Sequence, residues 1–182
     1  MFTTNFEEVI RKHIRPTVMK AKENFEQFQE GHFVPVSIVF YGEDVEIFPM
    51  MFDDEDSKEA VADRVRAISK QRQAWAVMVI CDARQWDTSS IPDVCQAYIA
   101  TLQDVDPDLV LRLIKDYATP VDVLSVTFES VFGDWTARYL YTRNERGKVT
   151  WTGMDERILK PGDHCEGRFT NLIAPPEHQF YA

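Results

Sequence analysis

The sequence has few of the residues that usually mark a disulfide framework, a phosphate-binding loop or a membrane span. Among its 182 residues are three cysteines, and the seven glycines stand singly. Cys81, Cys95 and Cys165 are odd in number and widely spaced, which argues against a disulfide framework. Scattered glycines form no phosphate-binding loop. No apolar run approaches the roughly 20 residues that cross a bilayer.

The first residues also lack the basic and apolar regions of a signal peptide. We therefore expect a cytoplasmic protein that has no membrane partner.

Motifs of known chemistry are absent as well. The four histidines and three cysteines show no C-x-x-C or H-x-x-x-H spacing, and there is no G-x-S-x-G nucleophile motif. The sequence therefore predicts no metal site and no cofactor, and it identifies no catalytic residue.

Positive charge is scarce, since 20 basic residues stand against 30 acidic ones, for a net charge of −10. Such a surface repels phosphate backbones at long range. We therefore expect no direct binding to nucleic acid. The expected partner is a protein, and a homo-oligomer is left open.

The elements that are present predict an α+β fold. A helical stripe begins at Phe6 and is interrupted by Pro16, where a kink or a restart is expected. Val36–Met50 reads as a β-hairpin, and a continuous apolar run ending at Cys81 reads as a buried strand. Further elements are predicted as a capping box at Thr4–Glu7, another at Asp56–Glu59, a helix over 57–72, helix starts near Ser90 and Asp106, a second hairpin over 121–142 and a last strand at Lys148–Trp151.

These elements predict one α+β domain over residues 1–152, with a mixed or mostly antiparallel sheet of about five or six strands covered by helices. Residues 87–104 are interpreted as an added helical segment. Residues 153–182 are interpreted as an irregular tail that packs on the domain or on a partner, because its apolar residues must be buried somewhere.

The order of helix, hairpin, helix, buried strand and late antiparallel strands resembles a group of uncharacterised bacterial and phage proteins. The residues that carry the resemblance are the hairpin Val36–Met50, the helix 57–72, the strand ending at Ala83 with Trp86 after it, and Asp106–Trp151. The resemblance implies a fold and a phage or mobile-element setting, and it implies no activity.

The most conspicuous charge feature is the run Asp53, Asp54, Glu55 and Asp56. Nine acids lie within residues 43–63 against one base, Lys58. Acids at a helix start interact favourably with the helix dipole, by roughly 0.3–1 kcal/mol each. A patch for a basic partner is the second interpretation, and the two are compatible.

Trp86 lies four residues beyond Asp82, after a charged interval that contains Arg84. It either covers an edge of the core or anchors an interface, where tryptophan is favoured. If the strand ends at Cys81 and returns the chain toward the start of the helix 57–72, Arg84 and Trp86 come to lie beside Asp53–Asp56. We therefore predict a partner-binding surface formed by the following residues: Asp53, Asp54, Glu55, Asp56, Arg84 and Trp86.

Together these observations predict a non-enzymatic, acidic interaction protein with a regulatory or inhibitory role. Two alternatives stay open. A nucleic-acid mimic would carry two rows of carboxylates spaced like phosphates on one face. A small hydrolase or nucleotide-processing enzyme would gather carboxylates with perturbed pKa values in a cleft.

Overall fold

The computed structural model describes residues 6–27, 33–52, 54–102, 105–159 and 172–173. The elements, in chain order, are α1 (Phe6–Val9), a π-helical turn (Ile10–Ile14), α2 (Arg15–Gln27), β1 (Val36–Tyr41), β2 (Asp44–Pro49), α3 (Glu55–Arg72), β3 (Ala76–Asp87), a short 3₁₀ turn (Thr88–Ser90), α4 (Asp93–Leu102), α5 (Pro107–Tyr117), β4 (Thr119–Ser130), β5 (Asp134–Arg143) and β6 (Val149–Leu159). The strands form one antiparallel sheet in the order β2-β1-β3-β4-β5-β6. The predicted α+β class is confirmed.

The chain from α1 through α2 is continuous and is called here the N-terminal helical segment. Its predicted interruption at Pro16 is present as the π-helical turn just before that proline, where the Arg15 N–H donates to the Ile10 carbonyl, five residues back. A π turn is a common way to accommodate an irregularity inside a helix. The segment still buries a stripe on the sheet that includes Ile14, Val18 and Phe25. The predicted capping box at Thr4–Glu7 lies partly outside the described residues.

Side chains alternate along the strands, so the sheet has two apolar faces. The N-terminal helical segment packs on the face that carries Met78, Ile80 and Phe128. Helix α3 packs on the opposite face, against Val39, Val77 and Val79. In the following text these are the helical-segment face and the α3 face.

Helix α3 begins earlier than predicted. Asp54, not Asp56, is its N-cap: the Ser57 N–H donates to Asp54 Oδ1 at 2.7 Å, and the Asp54 N–H donates to Ser57 Oγ at 3.0 Å. The predicted box at Asp56–Glu59 is therefore wrong, because a serine at the third helical position can close the same reciprocal pair of hydrogen bonds two residues upstream.

Strand β3 does not end at Cys81. It continues to Asp87, and every residue from Ala76 to Asp87 pairs in unbroken register with β4. The added helical segment is present as α4, which begins at Asp93 within the connection between these two long strands. The charged side chains after Cys81 suggested that the strand ended there. They do not prevent pairing with β4, because the backbone hydrogen bonds of a ladder do not depend on side-chain polarity.

The predicted boundary at residue 152 is also wrong, since β6 runs through it to Leu159 as the edge strand beside β5. Beyond β6, Leu172 is buried in the core on the α3 face, and its N–H donates to Glu129 Oε2 at 2.7 Å. This part of the predicted tail packs on its own domain. Phe169, Phe180 and Tyr181 lie outside the described residues.

Among the described helices, none is long and apolar enough to span a membrane.

Candidate functional site

An open groove of about 590 Å³ lies between α2 and the first hairpin. Its floor is formed by Ile38, Phe40 and Ile80, which are buried. Its outer wall is formed by Val45 and Ile47 of β2. The volume lies within the range of typical ligand-binding clefts, which are also predominantly apolar.

The groove exists because one helix covers the helical-segment face of a sheet that is six strands wide. The segment lies over β4 and β5, where Phe25 contacts Tyr141 edge to face and Lys22 lies over the Tyr139 ring. At the β1 side, the His13 ring contacts Phe40 edge to face. Strands are about 4.8 Å apart and a helix is about 10 Å across. The uncovered width above β1 and β2 therefore equals about one helix.

Two apolar side chains of β2 point into this uncovered region. Val45 pairs with Phe40 and Ile47 with Ile38, so all four point to the helical-segment face. The two inner residues are buried, but Val45 is 55% exposed and Ile47 is 61% exposed. Exposed apolar side chains that continue a buried apolar surface indicate an interaction site.

The polar rim of the groove is narrow and comes from α2. Thr17, Lys20 and Asn24 line this wall, one helical turn apart. On the opposite wall, β2 begins with Asp44 and is followed by the acidic start of α3. Glu46 pairs with Val39 and, like the start of α3, lies on the α3 face, so the acids are near the outer strand without lining the groove. The groove can therefore hold an apolar surface along its length.

A second, polar cleft of about 410 Å³ lies on the same face near the far ends of β3, β4 and β5. The Tyr141 hydroxyl donates to Asp82 Oδ1 at 2.6 Å, and the Arg84 guanidinium pairs with Asp122 at 3.0 Å. Burial raises the pKa of the Asp82 carboxyl above its usual range, and the hydrogen bond from Tyr141 opposes that rise. Burial and the neighbouring Asp82 carboxylate raise the pKa of Tyr141.

This polar cleft has one property of the predicted enzyme alternative, a carboxyl group with a perturbed pKa. Asp82 could exchange a proton with a bound molecule. The second carboxylate, Asp122, is held in an ion pair with an exposed arginine. Within the described chain, no group of three or more histidine, cysteine, aspartate or glutamate side chains could hold a metal ion.

Among the predicted acidic residues, Asp54 has a structural role. Asp54 caps α3, and the hydrogen bonds from the Ser57 hydroxyl and N–H lower the pKa of its carboxyl. Asp56 occupies the first turn of the helix, where its negative charge interacts favourably with the helix dipole, and Asp53 lies outside the described residues.

Further along the same acidic stretch, the Arg66 guanidinium contacts Glu59 at 2.9 Å and Asp63 at 2.7 Å. Glu46 pairs with Arg72 at 3.3 Å. These acids are gathered at a helix start and in ion pairs, which differs from the two parallel rows that a nucleic-acid mimic would show.

The structure does not bring Trp86 to the acidic helix start. Trp86 and Arg84 lie within β3, at every second position after Ile80 and Asp82. Their side chains therefore lie on the same face as Ile80, the helical-segment face. Helix α3 packs on the opposite face. The predicted arrangement assumed that the strand ended at Cys81, and this assumption is wrong because the strand continues to Asp87.

The sequence prediction missed the groove residues. Val45 and Ile47 alternate with acids on β2, and that signal is typical of any strand with one apolar face. Whether this face is covered depends on how many helices lie on the sheet, which is a property of the whole fold. Comparison with protein-family models, curated proteins and solved structures finds no match to this chain.

Proposed function

We propose that this protein is a non-enzymatic binding module that holds one amphipathic helix of a partner protein in the groove beside α2. The observation that carries the proposal is the exposed apolar pair Val45 and Ile47, which continues the buried floor of Ile38 and Phe40 across a width of one helix.

The shape of the groove favours a helix as the occupant. A helix laid parallel to α2 would pack against it at the usual distance of about 8–10 Å between axes and would rest on β1 and β2. Its apolar residues would follow the spacing i, i+3, i+4 and i+7, as in other helix-in-groove complexes. The six residues of β2 span about 20 Å, which matches roughly 13 residues of helix.

The acidic stretch near the outer wall favours a basic flank on this helix. Nine acids and one base lie within residues 43–63, which include β2 and the first half of α3. Glu46 and the start of α3 lie on the other face of the sheet, so these acids attract lysine or arginine of the partner helix through their long-range field, which raises the rate of association. The acidic residues predicted to bind a partner thus steer the partner helix without lining the groove, and the apolar groove supplies the anchor. If the bound helix is needed for the function of the partner protein, binding it gives this protein a regulatory or inhibitory role.

The test is a selection of amphipathic helical peptides from a displayed library, with the purified protein as the target. We expect selected peptides to carry a stripe of apolar residues and a lysine- or arginine-rich flank. Burying one aliphatic anchor contributes about 1.5–3 kcal/mol, so Val45→Asp or Ile47→Asp should weaken their binding at least about tenfold.

The matched control is Val131→Asp, because Val131 is 50% exposed and lies outside the groove, in the β4–β5 turn. This variant should bind the selected peptides as the wild type does. Equal binding to the Ile47→Asp variant would place the site elsewhere. Enrichment of acidic peptides would contradict the attraction of basic peptides by the acidic stretch.

A further inference from the structure

The α3 face of the sheet carries two small clefts beside the strands on which α3 packs. Helix α3 lies against Val39 of β1 and against Val77 and Val79 of β3. The clefts lie farther across the face, toward β4, β5 and β6, and have volumes of about 250 and 340 Å³. Both are lined by Thr88 and Arg138, so they adjoin.

The smaller of the two, called here the aliphatic cleft, has an apolar base. Val121, Val123 and Leu140 line it, and Val123 pairs directly with Leu140 across β4 and β5. Asp87 also lines this cleft, and its Oδ1 accepts hydrogen bonds from the Ser89 N–H at 3.0 Å and from Ser89 Oγ at 2.6 Å. That carboxylate is therefore directed at its own turn, and the base of the cleft can hold an apolar group.

The larger one, called here the arginine cleft, places two guanidinium groups around one carboxylate. Arg138 Nη2 donates to Asp155 Oδ2, and Arg157 Nη2 donates to the same oxygen at 3.2 Å. Arg138 Nη1 also donates to Gln85 Oε1 at 3.4 Å, so this guanidinium is held between β3 and β6. The hydrogen bond from Arg138, supported by Arg157, lowers the pKa of the Asp155 carboxyl, which stays ionised. The side chains that line this cleft therefore carry one positive charge in excess.

We propose that the two joined clefts bind a small organic carboxylate, whose charged group contacts Arg138 and Arg157 and whose apolar body rests on Val121 and Leu140. A guanidinium presents its N–H donors in a planar fork that matches a carboxylate. One excess positive charge suits a ligand with one negative charge. A phosphate monoester carries about −1.5 to −2 at pH 7 and would leave uncompensated negative charge beside Asp155.

The spacing and the charge of the surroundings allow this ligand. Arg138 and Leu140 follow each other on one face of β5, and alternate residues of a strand are about 7 Å apart, so one small molecule can touch both. The net charge of −10 repels any anion at long range. At roughly 0.15 M salt the Debye length is about 8 Å, so distant acids are largely screened and the contacts inside the clefts decide.

The experiment is an NMR titration of the isotope-labelled full chain with hexanoate, followed through backbone amide and arginine Nε–H signals. We expect shifts concentrated at Arg138, Leu140 and Arg157, with a dissociation constant of about 1 mM for so small a ligand. Hexanamide has a similar shape and no charge, so it should bind at least about tenfold more weakly. Acetate, which has the charged group without the apolar body, should also bind more weakly than hexanoate.

Substitutions test the two halves separately. Arg157→Gln should weaken hexanoate binding about tenfold and leave the fold intact, because the Arg157 side chain is 66% exposed. The matched control is Arg146→Gln, an exposed arginine in the β5–β6 turn, which should bind hexanoate as the wild type does. Leu140→Ala should weaken binding of hexanoate and leave that of acetate unchanged. A thermal melt establishes that each variant is folded.

Equal binding of hexanamide, unchanged binding in Arg157→Gln, or an absence of shifts at the clefts would overturn the proposal. So would shifts confined to the groove, at Ile47 and its neighbours. Tighter binding of hexyl phosphate than of hexanoate would overturn the assignment to a carboxylate. The proposal does not depend on the function proposed above, because the groove lies on the opposite face of the sheet and saturating hexanoate should leave binding of the selected peptides unchanged.

Discussion

Strand β1 has two neighbours whose side chains are chemically alike and whose surroundings are opposite. On the helical-segment face, β3 carries Met78 and Ile80, which are fully buried, while β2 carries Val45 and Ile47, which are more than half exposed. The residue types do not account for the difference. It arises because one helix covers the middle of the face and stops before its edge. The same apolar pattern therefore forms a core on one side of β1 and a binding surface on the other.

The largest expected effect is a difference in stability between substitutions on the two sides of β1. Phe128→Ala, on the covered side, should lower the free energy of unfolding by about 3–5 kcal/mol, because it leaves a cavity under the N-terminal helical segment. Ile47→Ala, on the uncovered side, should change it by less than about 0.5 kcal/mol, as is usual for surface positions. Urea denaturation of both variants measures the difference.

The outcome for Ile47→Ala also tests whether the groove is open in solution. A loss approaching that of Phe128→Ala would show that another part of this chain fills the groove, and it would remove the basis for a partner helix there. A normal slope of unfolding free energy against urea concentration confirms that both variants unfold in one cooperative step.

The fold was predictable from the sequence to the extent that local pattern determines it. The first hairpin, α3 and the second hairpin follow from alternating and helical periodicity. The errors lie at Cys81 and at residue 152, where charged or irregular sequence suggested an end and long strand pairing continues instead. Pairing with a neighbouring strand is a non-local property that a single segment does not encode.

The candidate site was less predictable. The acidic run was correctly associated with a helix start, although the cap is Asp54. The groove depends on which part of a six-stranded face one helix covers, and the pair Asp82 and Tyr141 joins residues 59 positions apart. Neither arrangement has a signal in the sequence, because each is produced by the order of strands in the sheet.

An intermediate effect is expected in the polar cleft, where Tyr141→Phe removes the hydrogen bond to Asp82. That bond opposes the effect of burial, so its loss should move the pKa of the Asp82 carboxyl further upward. A carboxyl group whose pKa is higher in the folded state contributes stability below its unfolded pKa and loses that contribution as pH rises. The variant should therefore lose more stability at neutral pH than in acid, by about 1–2 kcal/mol for the unmade hydrogen bond.

Carbon-detected NMR titration of the Asp82 carboxyl group, together with urea denaturation at both pH values, measures these changes. Tyr117→Phe is the matched control, because Tyr117 lies in α5 and is half exposed. A pKa of Asp82 that stays the same or falls in Tyr141→Phe would contradict the hydrogen bond as the opposing influence.

The smallest expected effect is the coupling between Trp86 and Asp54, which the sequence had placed on one surface. Trp86 lies six residues beyond Ile80 along β3, or about 20 Å past the floor of the groove, and its side chain is on the face opposite α3. Side chains that share no contact change stability independently.

Asp54→Lys should destabilise the protein by removing the cap of α3, and it should weaken binding of basic helical peptides in a salt-dependent manner. Trp86→Ala should leave peptide binding unchanged. In the double variant the two stability changes should add within experimental error, as measured by urea denaturation of all four proteins. A coupling clearly outside that error would mean that the tryptophan and the acidic helix start act together, and the single surface predicted from the sequence would then replace the groove as the site to pursue.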